Sequence, residues 1–513
     1  MKRAAFPVVL VLAALAVWNP FEDTFSQQPP ARPGTGSTPA PHVEIREPGE
    51  SKPASANSLA SVEAGDWIAV PMPDGRTLRG RINLARRDGE WQRIAGVCAT
   101  GESFSFSTRG SEVRGLIQSR SEGRAWRIAS DTSGKLVFAA LPLEKVVCNA
   151  LPPPDRAPVA SASENELREV VPAFSSRPNA SHVLYLDFDG AIVSDPDWAG
   201  GETIDAPRAR LNSRNIQRVW EKVAGDYAAF NIDVTTGASR YGNADVGKRM
   251  RCIITRNDRA ANGAGGIAYI DSFSEADTTF SSDIPAWVFI DNSVDACAEA
   301  LSHELGHTLG LDHDGLQRPG RNREYYAGQG RGPTGWAPIM GVSYYRRLSQ
   351  WSKGEYKGAN NLQDDIALIT RAKNGFGFAP DETGGGIAGA ISLGATSLMV
   401  EQDGIILNDE DVDTYKFSIT GGKVEVTARP GLGEGNVDLQ VEILNGTGTV
   451  LATANPSKSL SATVSTQELQ AGTYYLRVRG VGKGDPLKKG YTAYGSIGTY
   501  HLGGKVLGLV IQN

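Results

Sequence analysis

The sequence predicts a multidomain chain: a small antiparallel β domain over 61–150, a central α/β (α+β) domain over 170–380 and a C-terminal all-β sandwich or jelly roll over 387–513. Three observations carry this expectation. In the first region, turn residues recur roughly every eight to twelve positions between short alternating segments, as in small antiparallel sheets. In the second, apolar residues at helical spacing alternate with short buried-strand runs. In the third, about seven strand-length patterns follow one another between turns.

The chain has 513 residues, with 40% hydrophobic and 21% charged, a composition typical of globular domains. The formal charge of −6 is small for this length and argues against nucleic acid as the main partner, which needs a concentrated basic face. Lys2 and Arg3, the apolar run Ala4–Val17 and the small-residue site Ala14-Leu15-Ala16 read as a signal peptide over 1–17. The run is too short to span a bilayer comfortably. The alternative is an uncleaved N-terminal anchor with Trp18 at the membrane interface. No other stretch approaches membrane-spanning length, so no further stable insertion is expected. Export would place the folded part in the medium, at the cell surface or in a periplasm, where thiols pair. The four cysteines fall two and two, which favours Cys98–Cys148 and Cys252–Cys297 disulfides among the three pairings.

Residues 18–60 are rich in Pro, Ser, Gln and Ala without an apolar period, and predict a disordered spacer. Strands are then expected at Asp66–Val70, Leu78–Leu84, Trp91–Val97, Ser103–Ser107, Val113–Ile117, Ala125–Ile128 and Leu136–Ala140. A Pro-rich linker follows over 151–169.

The central domain begins with a buried-strand run, Val183–Asp187. Ile216, Val219, Trp220, Val223, Tyr227 and Phe230 recur at helical spacing and predict an amphipathic helix packed on a sheet. Ile232–Thr236, Arg251–Thr255, Gly266–Ile270 and Trp287–Asp291 are the next strands. Ser293 is a suitable N-cap for a helix over Val294–Leu309. A last short helix is expected over Asn361–Lys373, with Asn361 as its cap.

The helix over 294–309 runs into His-Glu-Leu-Gly-His-Thr-Leu-Gly-Leu-Asp-His, residues 303–313, which holds three of the chain's six histidines. On a helix, His303 and His307 lie one turn apart on one face, so two imidazoles can bind one metal ion. Glu304 sits beside them, where a carboxylate can polarise a metal-bound water. Gly310 lets the chain leave the helix, through a positive φ if needed, and the turn returns His313 as a third ligand. Such a site leaves the fourth zinc position open to water, as hydrolysis requires.

This stretch resembles the long zinc-binding signature of the metzincin metallopeptidases, HExxHxxGxxH, at every fixed position. The resemblance implies a bacterial, exported zinc metalloendopeptidase acting on protein or peptide substrates, with Zn2+ on His303, His307 and His313 and Glu304 as general base. It also implies a methionine floor under the imidazoles, for which Met340 lies at a suitable distance. Some metzincins carry a tyrosine two residues after that methionine; here Val342 stands there, and Tyr344 or Tyr345 is the candidate transition-state stabiliser. Gly266, Ile267, Ala268 and Tyr269 are candidates for the edge strand along which a substrate aligns, or else form an ordinary strand. The block over 61–150 resembles, more loosely, the prosegments of such peptidases, which would make the chain a zymogen. Cys148 then has two readings: the disulfide with Cys98, or a thiolate cap on the zinc as in cysteine-switch proteases. The local string Val147-Cys-Asn-Ala-Leu-Pro152 does not match the motif of those proteases.

The strings Asp411-Val-Asp-Thr-Tyr-Lys-Phe417, Ala471-Gly-Thr-Tyr-Tyr-Leu-Arg-Val478 and Tyr494-Gly-Ser-Ile-Gly-Thr-Tyr500 resemble the bacterial pre-peptidase C-terminal domain. Asp409, Asp411, Asp413 and Asp438 are candidate Ca2+ ligands there, or else solvate turns and strand edges. Two other classes remain beside the peptidase: a non-catalytic surface or matrix-binding protein on a metzincin scaffold, and a hydrolase of a non-peptide amide. The intact His and Glu set weighs against the first.

Overall fold

Period-2 burial, set by the alternation of side chains along extended backbone, organises most of the molecule. The computed structural model describes residues 52–131, 134–150, 152, 170–275, 284–396, 399–433 and 436–510, which lie in one compact unit. The signal-like segment, the spacer up to residue 51 and all of the linker but Pro152 lie outside the described residues.

Residues 52–142 form an eight-stranded sheet whose strands follow in sequence order. All neighbours are antiparallel except the first pair, Lys52–Pro53 beside Trp67–Pro71. Its inner face buries Ile68, Ile82, Ile94, Phe104, Phe106, Ile117 and Trp126. The spacer expected to reach residue 60 ends earlier. Ala56–Leu59 is a helical turn, and Leu59 is fully buried in this core, because one apolar side chain there closes the end of the sheet.

The second sheet positions the site. In spatial order its strands are Ile232–Thr235, His182–Asp187, Arg249–Ile254, Ala286–Val288, Gly266–Tyr269 and Val147–Ala150. The first four run parallel, and Gly266–Tyr269 turns antiparallel to Ala286–Val288. Parallel strands need crossovers, and helices supply them. Ser213–Asp226 is capped by Asn212, and Val294–Thr308 by Ser293, whose side chain accepts from Ala296 N. Both helices bury apolar faces in one core with Leu184, Leu186, Ile232, Val234 and Ile254.

The last helix is shorter than its sequence suggests, Asp365–Thr370, and Asp364 rather than Asn361 caps it by accepting from Ala367 N. Asn361 instead turns its side chain toward Asp312 and Gln363. Beyond it, two sheets face each other around Val426, Val441, Leu476, Val478 and Leu502. One is built on Asp413–Ile419, Gly472–Gly480 and Leu439–Leu444, the other on Met399–Ile406, Gly498–Val506 and Val424–Pro430. The chain is therefore multidomain and mostly β, with few helices.

The sandwich docks on the side of the second sheet's core away from the first sheet's residues. Leu407, Tyr494 and Ile497 enter the core of the helices. The buried carboxylate of Asp226 accepts from Ser302 Oγ on the second helix and from Asn436 Nδ2 on the sandwich. Gln350 Nε2 bridges to Asn436 O at 2.7 Å and to Ser496 Oγ at 3.0 Å.

The two expected disulfides are absent: all four cysteines are buried free thiols. Cys98 packs inside the first sheet, within the core of Phe104 and Phe106, whereas Cys148 lies on the edge strand of the second sheet, so the two belong to different layers. Cys252 and Cys297 share one apolar core without a bond between them. There they pack as small hydrophobes.

Candidate active site

The helix Val294–Thr308 is buried along nearly its whole length, and its face toward the sheet's open end carries His303 and His307. It stops at Leu309, and Gly310 takes a φ of 102°, the left-handed conformation that turns the chain back. That turn returns His313. His307 Nε2 lies 3.0 Å from His303 Nε2 and 3.0 Å from His313 Nε2.

The opposite ring nitrogens are all committed to oxygen acceptors. His303 Nδ1 lies 2.9 Å from Ile339 O, His307 Nδ1 2.7 Å from Leu311 O, and His313 Nδ1 3.0 Å from Glu324 Oε1. With protons on the Nδ1 atoms, the three Nε2 atoms present lone pairs to one point. Burial holds the imidazoles neutral: it lowers the pKa of His303 to about 4 against the weaker pull of the Ile339 carbonyl. It depresses His307 and His313 further, with help from the neighbouring imidazoles. Neutral, convergent, oriented imidazoles suit a divalent cation of the zinc type, whose ligating histidines donate their other N–H to an oxygen. The donor set therefore fits zinc.

Glu304 is fully buried next to this point. A Cβ on Gly266 would come within 2.7 Å of Glu304 Oε1 and within 2.7 Å of Trp287 O, so only glycine allows the strand to approach the carboxylate this closely. Met340 is buried against the helix, its Sδ 2.6 Å from where a Cβ on Gly306 would stand, and the neighbouring Ile339 carbonyl holds His303. Val342 lies in the same core, so the tyrosine of related sites has no counterpart at that position. Tyr344 is buried, and the charge of Glu304 contributes to raising its pKa, after burial itself.

Gly266–Tyr269 is fully buried and is not an open edge. Val147–Ala150 pairs antiparallel along it, Cys148 opposite Ala268 and Val147 opposite Tyr269. Cys148 Sγ and one ring nitrogen each of His307 and His313 all lie within 4.8 Å of one another. The Cys148 thiol donates to Glu144 O at 3.0 Å, and burial, reinforced by the charge of Glu304, pushes its pKa up. Lys145 is tied to Asp312 at 2.6 Å. Gln118 of the first sheet donates to Tyr269 Oη at 2.6 Å. Apolar Leu116, Val146 and Val147 pack with Ile267, Tyr269 and Trp287 in one cluster.

Two contributors carried no sequence signal. Tyr325 lies against His313 with ring centroids 4.3 Å apart, and Glu324 orients His313. Both sit in a stretch without helical or strand period. Of the four candidate calcium ligands, Asp411 and Asp413 come together, and their third partner is Asp381. Asp409 is absent from that group, and Asp438 accepts from Tyr491 at 2.6 Å instead.

Residues 214–314 match the model of the reprolysin-like metallopeptidase family M12B, and residues 411–480 match the bacterial pre-peptidase C-terminal domain. Two stretches of the chain are therefore similar to these two families. A search of curated proteins gives no match. Among solved structures, the chain is similar to the pre-peptidase C-terminal domain of a collagenase from Bacillus anthracis, at 16% identity over 24% of this chain and 95% of that one, with a TM-score of 0.16. The metallopeptidase match ends at Asp314, one residue past the third histidine, and so takes in the whole convergent set. No helix among the described residues is long and apolar enough to cross a membrane.

Proposed function

We propose that this chain is the latent form of an exported zinc metalloendopeptidase, with 1–17 as its signal peptide and the segment up to the 151–169 linker as its prosegment. The reading rests above all on the convergence of the three Nε2 atoms with every Nδ1 already bonded to oxygen. A zinc ion held by His303, His307 and His313 would supply Lewis-acid polarisation of a carbonyl and lower the pKa of a water.

The chain's own groups do the rest. Glu304, buried and facing the same point, takes the water's proton and returns it to the leaving amine. Gly266–Tyr269 offers main-chain groups to an extended peptide, which adds antiparallel as one more strand. Tyr325 packs against His313, and Tyr344 is buried near the charge of Glu304.

Latency follows from what now fills that edge. Val147–Ala150 lies antiparallel along it, as a substrate would, and the approach of Cys148 Sγ to within 4.8 Å of ring nitrogens of His307 and His313 supports reading the thiol as a fourth ligand. A thiolate is a strong zinc ligand, so Cys148 would block both water and substrate until the segment is removed. Asp411 and Asp413 cluster with Asp381, just ahead of the C-terminal domain, and this grouping is what supports the calcium reading. Calcium binding there would raise the melting temperature of the full chain, and an unchanged melting curve in calcium and in chelator would rule it out.

The test is hydrolysis of casein or gelatin before and after N-terminal processing, with zinc content measured alongside. Activity should emerge on processing, vanish with chelator, and be lost in Glu304→Gln while zinc stays bound. A zinc-loaded, processed chain that cuts no peptide in a broad library would sink the reading.

A further inference from the structure

The stretch beyond His313 is strongly basic. Residues 315–347 hold six arginines against one acid, Glu324, in a chain of net charge −6. Three of them, Arg331, Arg346 and Arg347, line one cavity of about 320 Å³ with Tyr345, Gly332 and Pro333. Arg346 is half-buried, its Nε is buried without a hydrogen-bond partner, and one terminal nitrogen reaches only Gly328 O at 3.4 Å. Burial is the main cause that lowers its pKa, against the opposing effect of Tyr326, and the charge of Arg331 lowers it further. Among the described residues, none of these three arginines forms an ion pair with a carboxylate.

Two stretches of chain connect the cavity's lining to residues near the three histidines. Tyr345 packs on the core of the zinc helix, one residue from Tyr344, whose electrostatic neighbour is Glu304. Tyr326 is an electrostatic neighbour of Arg346, one residue from Tyr325, which lies against His313. The cavity is open with Val147–Ala150 in place, so the covering strand does not fill it.

We propose that this arginine-lined cavity is a substrate subsite that takes the carboxylate of an Asp or Glu side chain, and that it directs the peptidase to acidic sequences. The inference rests on the peptidase reading above. A guanidinium with an unused buried N–H gains most from a planar, charged acceptor, and a neutral amide of the same size gains far less.

Two measurements test it. In the first, processed full-length enzyme is offered blocked peptides that differ only in Asp or Asn near the scissile bond. The Asp peptide should have a kcat/KM higher by about tenfold, in line with a charge-assisted hydrogen bond. Arg346→Ala combined with Arg347→Ala should erase that ratio, and Arg346→Glu should shift the preference to Lys. In the second, anisotropy of a fluorescein-labelled, amidated hexapeptide with two Asp residues is compared with its Asn counterpart on the processed chain carrying Glu304→Gln. Tighter binding of the Asp peptide, lost in the double variant, supports the subsite even if no peptide is cleaved, a result that would sink only the peptidase reading. Equal binding of the two peptides, or a preference that survives the double variant, overturns the proposal.

Discussion

The sulfur of Cys148 lies within 4.8 Å of a ring nitrogen of His307, although the two residues belong to different parts of the chain and no metal-binding motif links them. The main chain of Val147–Ala150 brings them together by pairing along Gly266–Tyr269. If the thiol is what keeps the site closed, Cys148→Ala should give the unprocessed chain at least about tenfold more activity on casein than unprocessed wild type, since one zinc ligand is lost to water. Equal latency in the two proteins would assign the block to the strand alone.

Gly266 brings the sheet close to Glu304, the proposed general base. Gly266→Ala puts a methyl group 2.7 Å from Glu304 Oε1 and 2.7 Å from Trp287 O, so the strand or the carboxylate must move. The processed variant should bind zinc like wild type and lose about a hundredfold in kcat, within the range for a displaced general base. Unchanged kcat would show that Glu304 tolerates the shift.

The pH dependence of zinc binding separates the imidazoles from the thiol. His303 protonates only near pH 4 because it is buried, and His307 and His313 lie below the ordinary imidazole range too, so none competes with zinc near neutrality. The Cys148 thiol is pushed up and must release its proton to bind. In wild type, affinity should therefore rise about tenfold per pH unit between pH 5.5 and 7.5, one proton leaving per zinc bound. In Cys148→Ala the same plot should be nearly flat. Parallel slopes in a competition titration would contradict the thiol's part.

The C-terminal sandwich is tied into the core behind the zinc helix. Asp226 is buried, its pKa raised to about 7 chiefly by that burial, and Ser302 and Asn436 both donate to it. Asn436→Ala removes one donor from a buried carboxylate and should cost about 1–3 kcal/mol in urea unfolding of the full chain. A change within about 0.5 kcal/mol, the usual range for surface substitutions, would show that the docking is loose.

The parts of this site that were legible from sequence are those set by local geometry. Four-residue spacing puts His303 and His307 on one helix face, Ser293 marks the start of that helix and Gly310 its end, because caps and turns depend on adjacent residues. The unread parts depend on long-range pairing. The sequence leaves Cys148 two readings, disulfide partner or zinc cap, because it meets the histidines only through a strand register, and Tyr325 and Glu324 reach His313 from a stretch with no period. The disulfide expectation failed for a related reason: grouping along the chain placed Cys98 with Cys148, but they lie in different sheets. Asn361 misled as a helix cap because Asp364, three residues on, competes for the same role and makes the bond.

X-ray absorption at the zinc edge of the unprocessed, zinc-loaded chain tests the central claim most directly. The account predicts three nitrogen neighbours at about 2.0–2.1 Å and one sulfur at about 2.3 Å, with the sulfur replaced by a light atom after processing. A first shell of nitrogen and oxygen alone in the unprocessed chain, or failure to bind zinc at all, would contradict it.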